Sequence, residues 1–194
     1  NCYGIELYES SRNRISQNNI KNNRYGISLF NSSNNNISGN NITNNDTGIY
    51  FSKSSNNSIS GNSIANNLWG IWLCFFSLSN TITGNLISNI KRTPSKRTYN
   101  ILFRDSSKNV IYHNRFVNNS YTSHVYSNES TNVWDNGYPS GGNHWSYYAC
   151  VDSFSGSLQN EAGPDGIADT PYVIDEKNSD RYPLMPPKII SFTI

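Results

Sequence analysis

The chain has 194 residues, 35% hydrophobic and 13% aromatic, which is too much burial-type surface for a disordered tail and suits one domain of ordinary size. Fifteen Lys and Arg against thirteen Asp and Glu leave a net charge of +2, so charge points to no nucleic-acid partner and no acidic tail. No apolar run reaches membrane-spanning length, and Asn1-Cys2 opens the chain without an initiator Met or a signal-peptide core, as expected of a mature product or an excised piece. Cys2, Cys74 and Cys150 lack CxxC spacing, which argues against a zinc knuckle and allows at most one internal disulfide.

From the N-terminus onward the chain repeats. Gly4-Ile5, Gly26-Ile27, Gly48-Ile49 and Gly70-Ile71 stand 22 residues apart each time. Leu7, Leu29, Phe51 and Leu73 keep that spacing, as do Ile15, Ile37 and Ile59, and Ile20, Ile42 and Ile64. One extra residue in the fourth coil gives Ile82 and Ile87. An insertion over about residues 90–99 then precedes a fifth coil at Ile101, Phe103, Ile111 and Phe116, and a looser sixth starts near Val125. The apolar positions come in short bursts with period two, and nothing has the 3.6 spacing of a helix. Three short strands per turn predict an all-β fold: a right-handed parallel β-helix of about six coils over residues 1–136, each strand pairing with its copy one turn above at about 4.8 Å.

The polar residues between the bursts repeat too. Asn13, Asn35, Asn57, Asn80 and Asn109 share one phase; Asn18, Asn40, Asn62, Asn85 and Asn114 a second; Asn22, Asn44, Asn66, Asn89 and Asn118 a third. Ser10, Ser32, Ser54 and Ser106 form a hydroxyl column. Corners need residues that accept left-handed backbone and bond locally, which Asn does at low cost, and stacked amides donate and accept along a column. These positions are expected to be structural.

This pattern resembles the β-helix repeats of the NosD-like family, related to the carbohydrate-binding and sugar-hydrolase domains of pectate-lyase-like proteins, over about residues 2–136. Beyond Val133-Trp134 the composition turns aromatic, Pro-rich and Gly-rich. Gly142-Asn143-His144-Trp145-Ser146, Asp165-Gly166-Ile167-Ala168-Asp169-Thr170-Pro171-Tyr172 and Asp180-Arg181-Tyr182-Pro183-Leu184 are similar to the terminal segment of NosD-like proteins of archaeal surfaces. Residues 137–194 are expected to form an irregular cap, because an open last rung exposes both core and strand edge. The family's name implies copper, but His113, His124, His144 and Met185 have no ligand spacing, so a copper site is not carried over.

Seven Asn-x-Ser/Thr sites, Asn31, Asn36, Asn41, Asn45, Asn56, Asn118 and Asn128, are candidate glycosylation acceptors and favour an extracellular or cell-surface location. Asp165 and Asp169, with Asp175, Glu161 or carbonyl oxygens completing the shell, are candidate Ca²⁺ ligands; the alternative is an Asp-Gly turn with its own hydrogen bonds. No other cofactor is expected. Lys91, Arg92, Lys96 and Arg97 lie on the insertion and read as a solvated loop.

Outward positions of the first strand form the column Glu6, Ser28, Tyr50, Trp72, Leu102 and Tyr126. Aromatic rings on a flat sheet, here Tyr50, Trp72 and Tyr126, receive sugar rings; alternatively the C-terminal segment docks there, burying Tyr50 and Trp72 against Trp145 or Tyr147. Docking is the preferred expectation, since large exposed apolar patches are uncommon on monomers. Asp105 and Glu129, beside Arg104 and in phase with Lys53, are the best candidate catalytic cluster for a polysaccharide lyase or glycoside hydrolase. Without a convergent acid pair, catalysis is not expected. The reading is a structural or adhesive module. The open first rung is expected to abut a preceding domain or to stack on another subunit in a filament or surface array, so the expected partners are further copies of the chain, head to tail or laterally, or cell-surface glycans.

Overall fold

The computed structural model describes residues 1–90, 97–119 and 125–186. The first coil holds β1 (Tyr3–Tyr8), β2 (Arg14–Ser16) and β3 (Asn19–Lys21), the second β4 (Tyr25–Phe30), β5 (Asn36–Ser38) and β6 (Asn41–Thr43). The third holds β7 (Thr47–Ser52), β8 (Ser58–Ser60) and β9 (Ser63–Ala65), the fourth β10 (Trp69–Cys74), β11 (Thr81–Thr83) and β12 (Leu86–Ser88), the fifth β13 (Ile101–Arg104), β14 (Val110–Tyr112) and β15 (Arg115–Val117). Then come β16 (Val125–Asn128), β17 (His144–Trp145), β18 (Phe154–Ser155), β19 (Glu161–Ala162), β20 (Tyr172–Asp175) and β21 (Asn178–Asp180).

Each coil gives one strand to each of three parallel sheets, ordered β1-β4-β7-β10-β13-β16, β2-β5-β8-β11-β14 and β3-β6-β9-β12-β15-β17. The chain is a parallel β-solenoid of about five turns, with a sixth built from β16, a single parallel bridge from Val110 to Val133, and β17. The third sheet thus continues past residue 136 to Trp145.

The pairing keeps like on like: Ile5, Ile27, Ile49, Ile71 and Ile101 follow one another across the first sheet. These columns pack into one continuous core, and from the second coil to the fifth nearly every inward Ile, Leu and Phe is fully buried. Each such side chain contributes roughly 1.5–3 kcal/mol. In the sixth coil two tryptophans take over: Trp134 meets Phe103 edge-on at 5.9 Å, and Trp145 stacks on Phe116 at 4.3 Å. The glycine column has a steric cause, since a Cβ on Gly26 would lie 2.5 Å from Gly48 O and 2.8 Å from Ile42 Cγ2.

Four corners per coil follow one rule: a left-handed residue, then a residue whose side chain stacks on its copy in the next coil. Asn34 and Asn56 are left-handed (φ 60 and 56) and precede the stacked Asn35 and Asn57. Gly39 and Gly61 precede Asn40 and Asn62 in the same way. The first two asparagine columns are therefore ladders, but they are not themselves the left-handed residues. The third column is corrected by one position: Asn22, Asn44, Asn66, Asn89 and Asn118 are the left-handed members, and the ladder runs through Asn23, Asn45 and Asn67, with Asn119 accepting from Ile90 N. The serine column is continuous and includes Ser77 and Ser130.

The C-terminal segment covers the end of the solenoid. In the β20–β21 hairpin, Asn178 Oδ1 accepts from Asn132 N (2.9 Å) and Trp134 Nε1 (3.2 Å), while Asp180 Oδ2 accepts from Asn143 N (2.7 Å) and Trp145 Nε1 (2.9 Å). Tyr172 stacks on Trp145 at 4.2 Å, and Arg181 grips Asp135 through two bonds. Trp145 is thus a core residue between Phe116 and Tyr172, not a lid on Tyr50 and Trp72. Cys2, Cys74 and Cys150 are free thiols.

Candidate functional site

The first sheet holds the longest strands, and its outer face carries the expected column: Glu6, Ser28, Tyr50, Trp72, Leu102 and Tyr126 are successive partners. A second column beside it, Tyr3, Tyr25, Thr47 and Trp69, keeps the same spacing and adds three more rings to this face. Together they build a strip of rings along the axis. Tyr3 stacks on Tyr25 at 5.6 Å, Tyr25 meets Tyr50 at 5.0 Å, Tyr50 meets Trp72 at 5.3 Å, and Trp69 lies 5.8 Å from Trp72. Past Leu102, Tyr99 and Tyr126 form another pair at 5.1 Å. A parallel sheet repeats a ring at every rung, so rings on adjacent coils fall within aromatic contact distance.

The strip has polar groups at its edges. The Trp69 indole donates to Arg97 O at 3.0 Å. Trp72 Nε1 is buried and has no hydrogen-bond partner among the described residues. The Cys74 thiol donates to Tyr50 Oη at 3.2 Å, and burial pushes both the Tyr50 phenol and the Cys74 thiol upward, so neither is an ionised nucleophile near neutrality. Apolar ring faces with neutral donors and acceptors at their rims suit hydroxyl-rich ligands, not proton abstraction.

The candidate catalytic residues lie elsewhere. Lys53, Asp105 and Glu129 occupy the left-handed corner that follows the first sheet, at φ 51, 50 and 47. Lys53, Arg104 and Glu129 are exposed and Asp105 is half-buried, so this sequence phase is explained by a backbone position that recurs once per coil.

Of the glycosylation candidates, Asn31, Asn36, Asn41, Asn56, Asn118 and Asn128 are exposed. Asn45 is corrected: it is buried, and its Nδ2 donates to Asn67 Oδ1 and Thr43 O, so its amide belongs to the ladder. His124 and the insertion residues Lys91, Arg92 and Lys96 lie outside the described residues.

The carboxylates proposed for calcium do not converge. Asp165 accepts from Ile167 N and Gln159 Nε2, Asp169 from Ser153 N and Phe154 N, and Asp175 from Lys177 N and Asn178 Nδ2. Asp165 and Asp175 are turn carboxylates, Asp169 ties its loop to residues 153 and 154, and among the described residues no group of three or more His, Cys, Asp or Glu is placed to hold a metal ion. Among the described residues, the Cys150 thiol donates to Met185 Sδ at 3.4 Å.

The family described as "Periplasmic copper-binding protein (NosD)" matches residues 1–150. Among solved structures, the enzymatically active domain of bacteriophage CBA120 tailspike protein 2 is similar, at 19% identity and a TM-score of 0.50, over 61% of this chain and 21% of that one. The chain therefore spans about a fifth of that structure's length, and the likeness is one of fold. No curated protein matches. Among the described residues the donors do not fit the copper of the family's description: His113 Nε2 is bonded to Ser140 O at 2.7 Å, and the ring of His144, whose pKa is lowered by burial and by Arg115, meets no second candidate ligand.

Proposed function

Because the chain belongs to the NosD family of parallel β-helix proteins, described as periplasmic, we propose that it works outside the cytoplasm, as an extracellular or cell-surface adhesive module without catalysis. Its adhesive surface is the aromatic face of the first sheet, and its ligands are glycan chains. The observation that carries this reading is the strip Tyr3, Tyr25, Tyr50 and Trp72, half-open to solvent while the C-terminal segment is engaged at the end of the solenoid. Contiguous apolar patches on a monomer mark interaction sites, and stacked rings match the apolar faces of sugars.

Glycan-array screening followed by calorimetry on the best ligand tests this. Trp72→Ala is expected to weaken binding by roughly tenfold, the loss of one good ring contact, with the fold intact. An array without a ligand, or affinity indifferent to Trp72 and Tyr50, overturns the proposal. So does turnover of a uronate polymer that is abolished in Asp105→Asn.

A further inference from the structure

The second sheet carries a trough on its outer side, on a different sheet from the aromatic strip. One wall is a column of hydroxyls, Ser16, Ser38, Ser60 and Thr83, successive partners across β2, β5, β8 and β11. Beside it runs the corner that follows this sheet, where Gly39, Gly61 and Gly84 are left-handed (φ 65, 61 and 65). Arg14 and Gln17 stand at the first-coil end, and the enclosed space is about 470 Å³, the size of a small-molecule site. The corner does not demand glycine. Gln17 and His113 hold the same left-handed position in the first and fifth coils (φ 60 and 57), and Asn44 and Asn66 hold the next corner at φ 57 and 58. A Cβ on Gly61 would meet nothing within 4 Å, and those on Gly39 and Gly84 only ordinary neighbours at 4.0 and 3.8 Å. Three successive glycines therefore relieve no clash; they leave the trough open.

The hydroxyls of the solenoid fall into two kinds. Those of the corner column are buried and engaged: Ser32 Oγ, Ser54 Oγ and Ser106 Oγ donate to Phe30 O, Ser52 O and Arg104 O. The hydroxyls of Ser16, Ser38, Ser60 and Thr83 are half-buried and make no hydrogen bond among the described residues. Their carbonyls are taken by the ladder amides of Asn18, Asn40, Asn62 and Asn85, so the free polar groups of this wall are its hydroxyls. We propose that the trough binds a neutral, unbranched glycan laid along the solenoid axis. Each hydroxyl both donates and accepts, as the hydroxyls of a sugar do. The column repeats at about 4.8 Å, close to the length of one pyranose unit in an extended chain, so its four rungs span roughly 14 Å and take about three units. An extended peptide does not suit this wall: β5, β8 and β11 are paired on both sides and offer no strand edge, and the lining has no apolar pocket for side chains. Arg14 is the one charged residue among those that line the trough, which favours a neutral sugar over an acidic one. This site is independent of the first-sheet surface and does not rest on it.

Calorimetric titration of the full chain with cellohexaose, mannohexaose and chitohexaose tests the proposal, on protein whose mass shows Asn36 and Asn41, which flank the trough in sequence, to carry no glycan. At least one of the three is expected to bind, and its affinity is expected to survive Trp72→Ala. Gly61→Gln/Gly84→Gln, which fills the corner as Gln17 does in the first coil, is expected to abolish that binding. Ser60→Ala/Thr83→Val keeps the shape and removes two hydroxyls, and is expected to weaken binding roughly tenfold. If the glutamine pair unfolds the chain, the hydroxyl pair decides alone. Saturable heat from none of the three hexasaccharides overturns the proposal, as does an affinity indifferent to the hydroxyl pair. Binding lost in Trp72→Ala but kept in both trough variants overturns the trough while leaving the first-sheet site standing.

Discussion

Coils two to four and the C-terminal end meet the same demand with different residues. In the coils, isoleucines fill the core and the amides of the first two asparagine columns both accept from the coil before them and donate to the coil after them. At the end, Trp134 and Trp145 fill the core, and the columns finish on Asn178 and Asp180, drawn from a hairpin that runs antiparallel and repeats nothing. A column in progress needs a residue with two functions, whereas its last member needs only to accept. A carboxylate therefore serves at the end: Asp180 Oδ2 takes Asn143 N and Trp145 Nε1, and Oδ1 takes Tyr182 N. What the solenoid conserves along its axis is the placement of acceptors, and sequence repetition is one way of supplying them.

The comparison breaks most visibly inside a ladder. Asn67 Oδ1 accepts from Asn45 N and Nδ2, and its Nδ2 donates to Ile42 O, all of them buried. Asn67→Gly leaves these groups without partners and is expected to cost about 3 kcal/mol, read as a lower midpoint in guanidinium unfolding with an unchanged slope. A loss under about 1 kcal/mol would show the column to be decoration on a fold held by isoleucine alone.

How far the sequence was legible follows from this division. The core and the three-strand coil follow from isoleucines at a fixed spacing, because in-register parallel stacking preserves sequence period as spatial contact. Adjacent asparagines hid the corner rule: in Asn22-Asn23 or Asn44-Asn45 the letter is the same, and only backbone conformation separates the left-handed member from the stacked one. The hairpin's role was not legible, because Asn178 and Asp180 reach Asn132 and Asn143 across tens of residues of irregular chain with no period to mark them. Tyr25 and Trp69 were legible in principle, since they keep the 22-residue column, but they stand beside the glycine where strand alternation is hardest to read.

A smaller effect, confined to the cap, sharpens the contrast between a column member and its terminator. Burial pushes the Asp180 carboxyl up to about 7, against Trp145 Nε1 and the Asn143 N–H groups, which favour its ionised form. With the folded value above that of the unfolded chain, the folded state binds the extra proton between about 4 and 7, so stability falls as pH rises through that window and is level above it. Asp180→Asn restores the amide of the preceding rungs and removes the titration. Its unfolding midpoint is expected to lose this slope, while Nδ2 facing Tyr182 N lowers stability slightly at acid pH. An unaltered slope in this variant would place the titration on another group.

The smallest effect is expected one residue from the largest. Asn66 stands immediately before Asn67 and shares its identity, but its φ is 58 and its own N–H donates to Ser88 O through the backbone. Glycine reaches that conformation at no steric cost and keeps the backbone bond, and it loses only some unfolded-state entropy relative to Asn. Asn66→Gly is therefore expected to shift stability by no more than about 0.5 kcal/mol in either direction, whereas Asn66→Val, with a branched side chain forced into a left-handed backbone, loses about 1–2 kcal/mol. The two neighbours test the corner rule without changing the chemistry being removed. If Asn66→Gly costs as much as Asn67→Gly, stacking and backbone conformation are not divided between adjacent residues, and each asparagine pair acts as one unit.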